Sequence, residues 1–455
     1  MSNRSRGAGR RGRYPPATLP HPPERPPQTR SIDKSALPSL RFYLAGSFGL
    51  TFANGIQNVV LGWLVAHALA ASGTQVSVVM AALMLPNVAL SLLGGFVSDR
   101  FDPKRLLPGL HALAALCVLG LAVAVSGGFL RYEIVVGYAL AMGALGAFIA
   151  PARDALISRV AGGALPRVVP LTMTATYIGQ LLGALCAGLT DQIGPESALQ
   201  LQAGLLAFAT VSFALVRPPD PHGGSLQSRN PLREIADAWR ETRASPALRS
   251  SLGIMLVIGL TLGGTYVPLI TLITRDTYGG GSAELSFGLA AMMLGTTSGS
   301  IVLTIRGGIR RQGRGLLLGL GAAAAALGAL ALEPPFLGAL GLAYLWGLFG
   351  AIGMVMTRTI SQQHAPETHR ARILSLYHLA LTGAAPVGSV ATGFAIDTLG
   401  ASTAALVPAA TLLGAVVVAW NTSALPRIES DSGRDSSSGT GTAGAAPDDQ
   451  FSSVP

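Results

Sequence analysis

The chain has 455 residues, half of them hydrophobic and only 12% charged, with a net charge of +10 and a mean hydropathy of +0.49. A soluble domain carries about 25% charged residues, so this composition excludes an ordinary globular protein, which would expose large apolar patches. Its two cysteines, Cys117 and Cys186, both sit inside apolar runs, which argues against a disulfide framework and against a metal site.

Residues 1–38 hold eight prolines and eight basic residues, cannot bury a core, and read as a disordered cytoplasmic tail. A helix needs about 20 apolar residues to cross a bilayer. Twelve runs qualify, at 41–67, 74–98, 106–127, 132–157, 168–190, 197–216, 250–274, 284–305, 314–332, 336–357, 371–396 and 401–420. Residues 39–216 are thus expected to form an N-terminal six-helix bundle and 250–421 a C-terminal one. Between them, 217–249 form a central cytoplasmic loop, and 422–455 a second disordered tail. The expected fold is an all-α integral membrane protein of twelve transmembrane helices in two pseudo-symmetric six-helix bundles.

Charge tests this count independently. The segments on one side hold 30 of the 32 Lys and Arg residues; the other side holds only Arg131 and Arg275. Basic residues mark the cytoplasmic face, so both termini are expected there. They come in short clusters with no contiguous basic helix, so the excess charge points to the membrane surface and to no nucleic acid. The N-terminal tail is able to attract anionic lipid, although a solvated tail without a partner is the commoner case.

The halves repeat at an offset of 205, which aligns Gly94 with Gly299, Arg105 with Arg310 and Arg153 with Arg358. It also aligns Arg167 with Arg372, Gly183 with Gly388 and Gly188 with Gly393. Parallel repeats of this kind build transporters with a central site near the midplane.

Between spans two and three stands GGFVSDRFDPKRLL, five charges within seven residues after 57 residues with none. Arg100, Lys104 and Arg105 suit a cytoplasmic turn, but Asp99 does nothing for topology, which Lys and Arg set. The run from Gly95 through Asp99 and Arg100 to Lys104 and Arg105 resembles the G-x-x-x-D-R-x-G-x-[RK]-R loop of the major facilitator superfamily, with Asp102 in place of Gly. PARDALISRV, LPRVVPLTMT and HRARILSLYHLALTGAAPVGS look like the bacterial exporter branch that includes siderophore exporters and macrolide-efflux-like proteins. The resemblance implies that Asp99 faces the N-terminus of span eleven near Thr368–Arg372 and acts as a gating latch. Arg153 and Asp154, one turn inside span four, are candidate members of it. Charges that only fix topology, and an arginine that only snorkels, are the plain alternatives.

Span five carries Gly179-x-x-x-Gly183 and Gly188, similar to the G-x-x-x-G-P-x-x-G-G antiporter motif but with Ala184 for Pro and Ala187 for Gly. Gly383, Pro386 and Gly388 in span eleven are its candidate counterpart. Small residues four apart let helices approach closely, which ordinary packing also needs.

Amides at mid-depth must face protein or a watery cavity. Asn54, Gln57 and Asn58 share one face of span one by their i, i+3, i+4 spacing. With Tyr177 and Gln180 in span five, Thr265 and Tyr266 in span seven, and Tyr377 and His378 in span eleven, they are the candidate substrate cavity; interhelical hydrogen bonds are the competing role. No acid lies at mid-span, although proton-coupled exporters commonly use one. No phosphate-binding loop follows either lysine, and no catalytic set appears.

The expected protein is therefore no enzyme and carries no cofactor and no metal. It is expected to be a monomer in a bacterial inner membrane that exports a small apolar or amphipathic molecule by alternating access, with protons as the family's coupling ion. An importer or lysophospholipid flippase of the same fold is the alternative, and a membrane-embedded transferase or sensor the remote one.

Overall fold

The computed structural model describes residues 37–161, 164–217, 231–306, 309, 311–366 and 369–428. Both tails beyond residues 37 and 428 lie outside the described residues. Within them, twelve helices are long and apolar enough to cross a membrane. In chain order the spanning helices are α1 (Leu37–Ala68), α2 (Gly73–Arg100), α3 (Pro103–Ser126), α4 (Tyr132–Ala161), α5 (Leu165–Ala187) and α6 (Pro195–Ala214). The second half supplies α7 (Pro246–Asp276), α8 (Ser282–Ile305), α9 (Gln312–Ala329), α10 (Phe336–His364), α11 (Arg370–Leu399) and α12 (Leu406–Thr422).

The helix ends follow local chemistry. Ser72 and Gln75 form a reciprocal capping box at the start of α2, satisfying two otherwise orphaned donors. Pro195 opens α6 directly after Gly194, whose φ of +84° reverses the chain. Helix α2 runs through Asp99 and Arg100, so the connection to α3 is only Phe101-Asp102. Asp102 caps α3 by accepting the Lys104 N–H at 3.2 Å. The central segment is not all loop. An amphipathic helix, Pro231–Ala244, packs against α7 and α11, with Glu241 paired to His369 at 3.2 Å.

The repeat read at offset 205 recurs as packing. Gly94 sets α2 against the Ala147 carbonyl of α4, and Gly299 sets α8 against the Leu348 carbonyl of α10. Gly183 sets α5 against the Phe52 carbonyl of α1, and Gly388 sets α11 against the Leu260 carbonyl of α7. At each of these four positions a Cβ would collide with backbone, so the helices touch main chain to main chain. Between the halves Gly393 rests on the Gly73 carbonyl of α2 in the same way, and Gly188 fits against the Ser286 side chain of α8. In α7 a wide turn at Gly259–Gly263 adds one residue to the helical repeat. That extra residue brings both Gly259 and Gly264 onto the face packed on α11.

Close approach at Gly183 predicts a clean contrast in detergent-solubilised protein. Gly183→Ala should destabilise by ~1–3 kcal/mol through overpacking. Gly204→Ala, on an exposed face of α6 with no neighbour within 4 Å, should be neutral or stabilise by up to ~1 kcal/mol. Thermal unfolding of the two variants checks it.

Candidate functional site

The two halves meet along two seams, α2 with α11 and α5 with α8. Hydrogen bonds between the halves gather toward the end of the bundle remote from Leu37 and Ile428, the end that the charge rule makes the outer one. Asp397 of α11 accepts the N–H groups of Gly73 and Thr74 at 2.6 and 2.9 Å. Asp191, just past α5, accepts the Ser282 N–H, while the Ser282 hydroxyl donates to the Gly188 carbonyl at 2.9 Å. Arg275 at the end of α7 donates to the carbonyls of Ala66 and Ala71, both at 2.8 Å, and His67 Nε2 lies 3.0 Å from the Gly280 carbonyl. Deeper in, the Ser389 hydroxyl donates to the Ser77 carbonyl at 3.0 Å.

Toward the basic end several side chains of the seam helices are exposed. Tyr177 is 51% exposed, and Met173 and His378 are exposed with it. His378 lies on the face of α11 between those packed on α7 and on α2, so it looks into the space between the halves. Asn54 and Asn58 of α1 occupy the face between its contacts with α4 and α5; both are half-buried and have no hydrogen-bond partner among the described residues. Gln180 and Tyr266 are also half-buried without a side-chain partner among the described residues.

The structure separates the remaining candidates from that space. Gln57 is 7% exposed, and its Oε1 accepts from Tyr138 of α4 at 3.2 Å and from Gln202 of α6 at 3.1 Å. It therefore ties three helices of one half and does not share the open face of Asn54 and Asn58. Thr265 is buried with its hydroxyl 2.9 Å from that of Thr392. Tyr377 is 3% exposed and donates to the Leu248 carbonyl at 2.6 Å, pinning α11 to α7. In all three cases a partner distant in sequence satisfies the polar atom, which spacing along one helix does not reveal.

The loop residues also redistribute. Arg153 is half-buried, its Nε has no partner, and its backbone carbonyl accepts from Tyr43 at 3.2 Å; Asp154 is exposed. Among the described residues the two form no ion pair with each other. Gly94 makes the close contact with α4, whereas Gly95 has open space beside it. Asp102, the departure from the family's glycine, pairs with Arg159 of α4 at 3.0 Å. Arg100, Lys104 and Arg105 stand at the basic end, Arg100 and Arg105 exposed. The side chain of Asp99, and Thr368 opposite which it is expected, lie outside the described residues. Gly179 fits against the Thr51 hydroxyl, and Pro386 is buried within an unbroken α11. Gly383 meets only Val88, at an ordinary 3.8 Å.

Sequence reading missed Asn87, an exposed mid-helix amide of α2 that lies over Gly146 of α4. Its signal was the same as that of Asn54, an amide at mid-span, but it stands alone after Pro86. It also missed His111, fully buried with Nδ1 2.8 Å from the Leu107 carbonyl and its ring 5.0 Å from Phe213.

Residues 43–377 match the family described as the Major Facilitator Superfamily, well over half of the chain. The protein belongs to that superfamily. It is a multi-pass membrane protein with a transporter fold. Among curated proteins, none matches the sequence. Among solved structures it is similar to the nucleoside transporter NupG, at 15% identity and a TM-score of 0.69, covering 84% of this chain and 98% of that one. It is likewise similar to a D-xylose-proton symporter, at 15% identity and 0.63, covering 86% and 98%. A bacterial homologue of the human lysosomal transporter Spinster, described as inward-facing and unoccupied, matches at 14% identity and 0.61, covering 86% and 96%. At these identities the likeness is one of fold.

The two kinds of amide predict different losses. Gln57→Ala leaves Tyr138 and Gln202 short of a partner in the core and should cost ~1–3 kcal/mol of stability. Asn54→Ala and Asn58→Ala should leave the unfolding midpoint within about 0.5 kcal/mol of the parent, because no protein partner is lost. Thermal unfolding in detergent separates the two outcomes.

Proposed function

We propose that the protein is an exporter that carries a small apolar or amphipathic organic molecule out of a bacterial cytoplasm by alternating access, working as a monomer in the inner membrane. The observation that carries this reading is the asymmetry of the space between the halves. Bonds between the halves gather at the end poor in Lys and Arg, and exposed side chains of α5 and α11 stand toward the end rich in them, which we read as a space sealed at the first end and open at the second. By the positive-inside rule the open end faces the cytoplasm, the side from which an exported substrate enters. Asn54, Asn58 and Gln180, with Tyr177 and His378, offer hydrogen-bonding groups without a fixed charge, a lining suited to an uncharged or weakly polar ligand. A multiply charged substrate would need a cation or an anion at mid-depth, and the sequence places none there.

Asp99 is assigned the gating role that its loop resembles: when the outer mouth opens and the inner one closes, its carboxylate meets the positive end of α11. Arg100, Lys104, Arg105 and Arg153 hold the surrounding loop and helix ends. Protons are the coupling ion in this reading, entering through groups away from mid-span.

Accumulation of a panel of dyes and drugs in cells expressing the parent or Asp99→Asn, with and without a protonophore, tests the proposal. The parent should lower accumulation of at least one compound several-fold, and both the substitution and the protonophore should abolish the difference. Export that survives the protonophore removes the proton coupling. Raised accumulation in the parent reverses the direction and makes the protein an importer. A steady absence of any difference across the panel overturns drug-like export.

A further inference from the structure

The outer closure is made of charged side chains from one half placed on helix ends of the other, and the same device occurs twice. Asp191 follows α5 and sits on the N-terminus of α8; Asp397 ends α11 and sits on the N-terminus of α2. The two acids are 206 residues apart, one from the repeat offset, and the helices they cap are the second of each half. An acid in the last turn of a helix opposes the dipole of its own helix, so Asp397 is misplaced for α11 alone. Its position is explained by the two α2 donors across the seam.

Arg275 supplies the complementary contact. Its guanidinium reaches over the boundary to the carbonyl of Ala66 at the C-terminal end of α1, where a cation is favourable, and to that of Ala71 in the turn before α2. The neighbouring Asp276 holds it from behind. Arg275 is one of only two basic residues at the outer end, a place that topology disfavours. The groups around these contacts are few. Ser72 and Thr74 flank Asp397, while Glu284, bonded to the Gly281 N–H, stands beside Asp191.

We infer that Asp191, Asp397 and Arg275 form the outer gate of the transport cycle, and that their cross-half caps on α8, α2 and α1 hold the empty carrier closed to the outside. Each cap is lost when the outer ends part, because donor and acceptor belong to different halves. Water then satisfies both groups, so the gate opens without leaving an orphaned buried charge. The caps therefore set how often the outer mouth opens, separately from what is bound between the halves.

The inference rests on the alternating-access reading, and its test needs no substrate. In a background free of native cysteines (Cys117→Ala, Cys186→Ala), a single thiol is placed between the halves as Asn58→Cys. A membrane-impermeant maleimide is added to the outside of intact cells, and labelling is normalised to that of denatured protein. Asp191→Asn with Asp397→Asn should speed labelling about three- to tenfold, and Arg275→Gln should act in the same direction. Asp397→Glu, which keeps the charge, should remain near the parent rate. Glu196→Gln and Arg131→Gln remove outer charges that bridge nothing across the seam and should leave the rate unchanged. Should the double variant not reach the membrane, either single variant reads its own seam. An unchanged rate in the gate variants, or an equal rise in the two controls, overturns the inference. Faster labelling, with no export of any compound by the parent protein that retains Asn58, keeps the gate and removes the exporter reading.

Discussion

Helices in lipid gain nothing by hiding apolar side chains from one another, because the surrounding chains are as apolar as leucine. What holds this bundle together is therefore contact at short range, and the glycines provide it. Where Gly94, Gly183, Gly299 and Gly388 lie, the backbone of one helix rests on carbonyl oxygens of the next. The two halves use this contact at equivalent positions, so each folds around the same pair of crossings, α1 with α5 and α2 with α4, or α7 with α11 and α8 with α10. Between the halves Gly73, Gly188 and Gly393 also allow close approach, and there the packing is continued by polar contacts. Within each half the seams are main chain on main chain; between the halves one such contact, Gly393 on Gly73, is joined by charges placed on helix ends. The first kind is lost only by unfolding, the second by a modest separation. In the proposed cycle that difference in chemistry is what lets the halves move as units.

The same solvent dictates how polar side chains are treated. Helix α8 carries Thr296, Thr297, Ser298, Ser300 and Thr304, yet every one of these hydroxyls donates to the carbonyl four residues earlier. Such self-satisfaction makes a hydroxyl nearly neutral toward lipid and frees it from needing a partner helix. Amides have no such escape, since a primary amide offers both donors and an acceptor. Gln57 is satisfied by Tyr138 and Gln202 within one half. Asn54 and Asn58 are not matched by protein partners among the described residues, and water or a ligand is the remaining way to satisfy them.

This distinction sets the limit of what was legible in the sequence. Span number, the division into halves and the repeat follow from periodic apolarity, charge placement and glycine spacing, all of which are local or repeat at a fixed offset. The membership of the site does not, because it depends on which amide or hydroxyl finds a distant partner. Gln57 reads like Asn54 and Asn58 along α1, but Gln202 stands 145 residues away. Tyr377 reads like a cavity tyrosine until the Leu248 carbonyl is placed beside it. Asp397 gave no signal at all, and Arg275 only counted as an exception to the charge rule; the bonds that explain them cross 324 and 209 residues. The reach of α2 through Arg100 was hidden for a different reason: charge usually ends a span, but a helix continues past the bilayer edge as long as its backbone is paired.

The central claim is that two rigid halves separate at the outer end and approach at the basic end in one cycle. Distances between spin labels on cysteine-free protein in lipid test it most directly. One pair, Arg131→Cys with Leu332→Cys, spans the outer ends of the two halves, and another, Phe101→Cys with Ile305→Cys, spans the basic ends. The account predicts that the empty protein shows mainly the short outer and long inner distance, and that the two distributions shift in opposite directions when the outer gate is weakened or substrate is bound. Distances that stay single and unchanged at both ends, or that lengthen together, would contradict it.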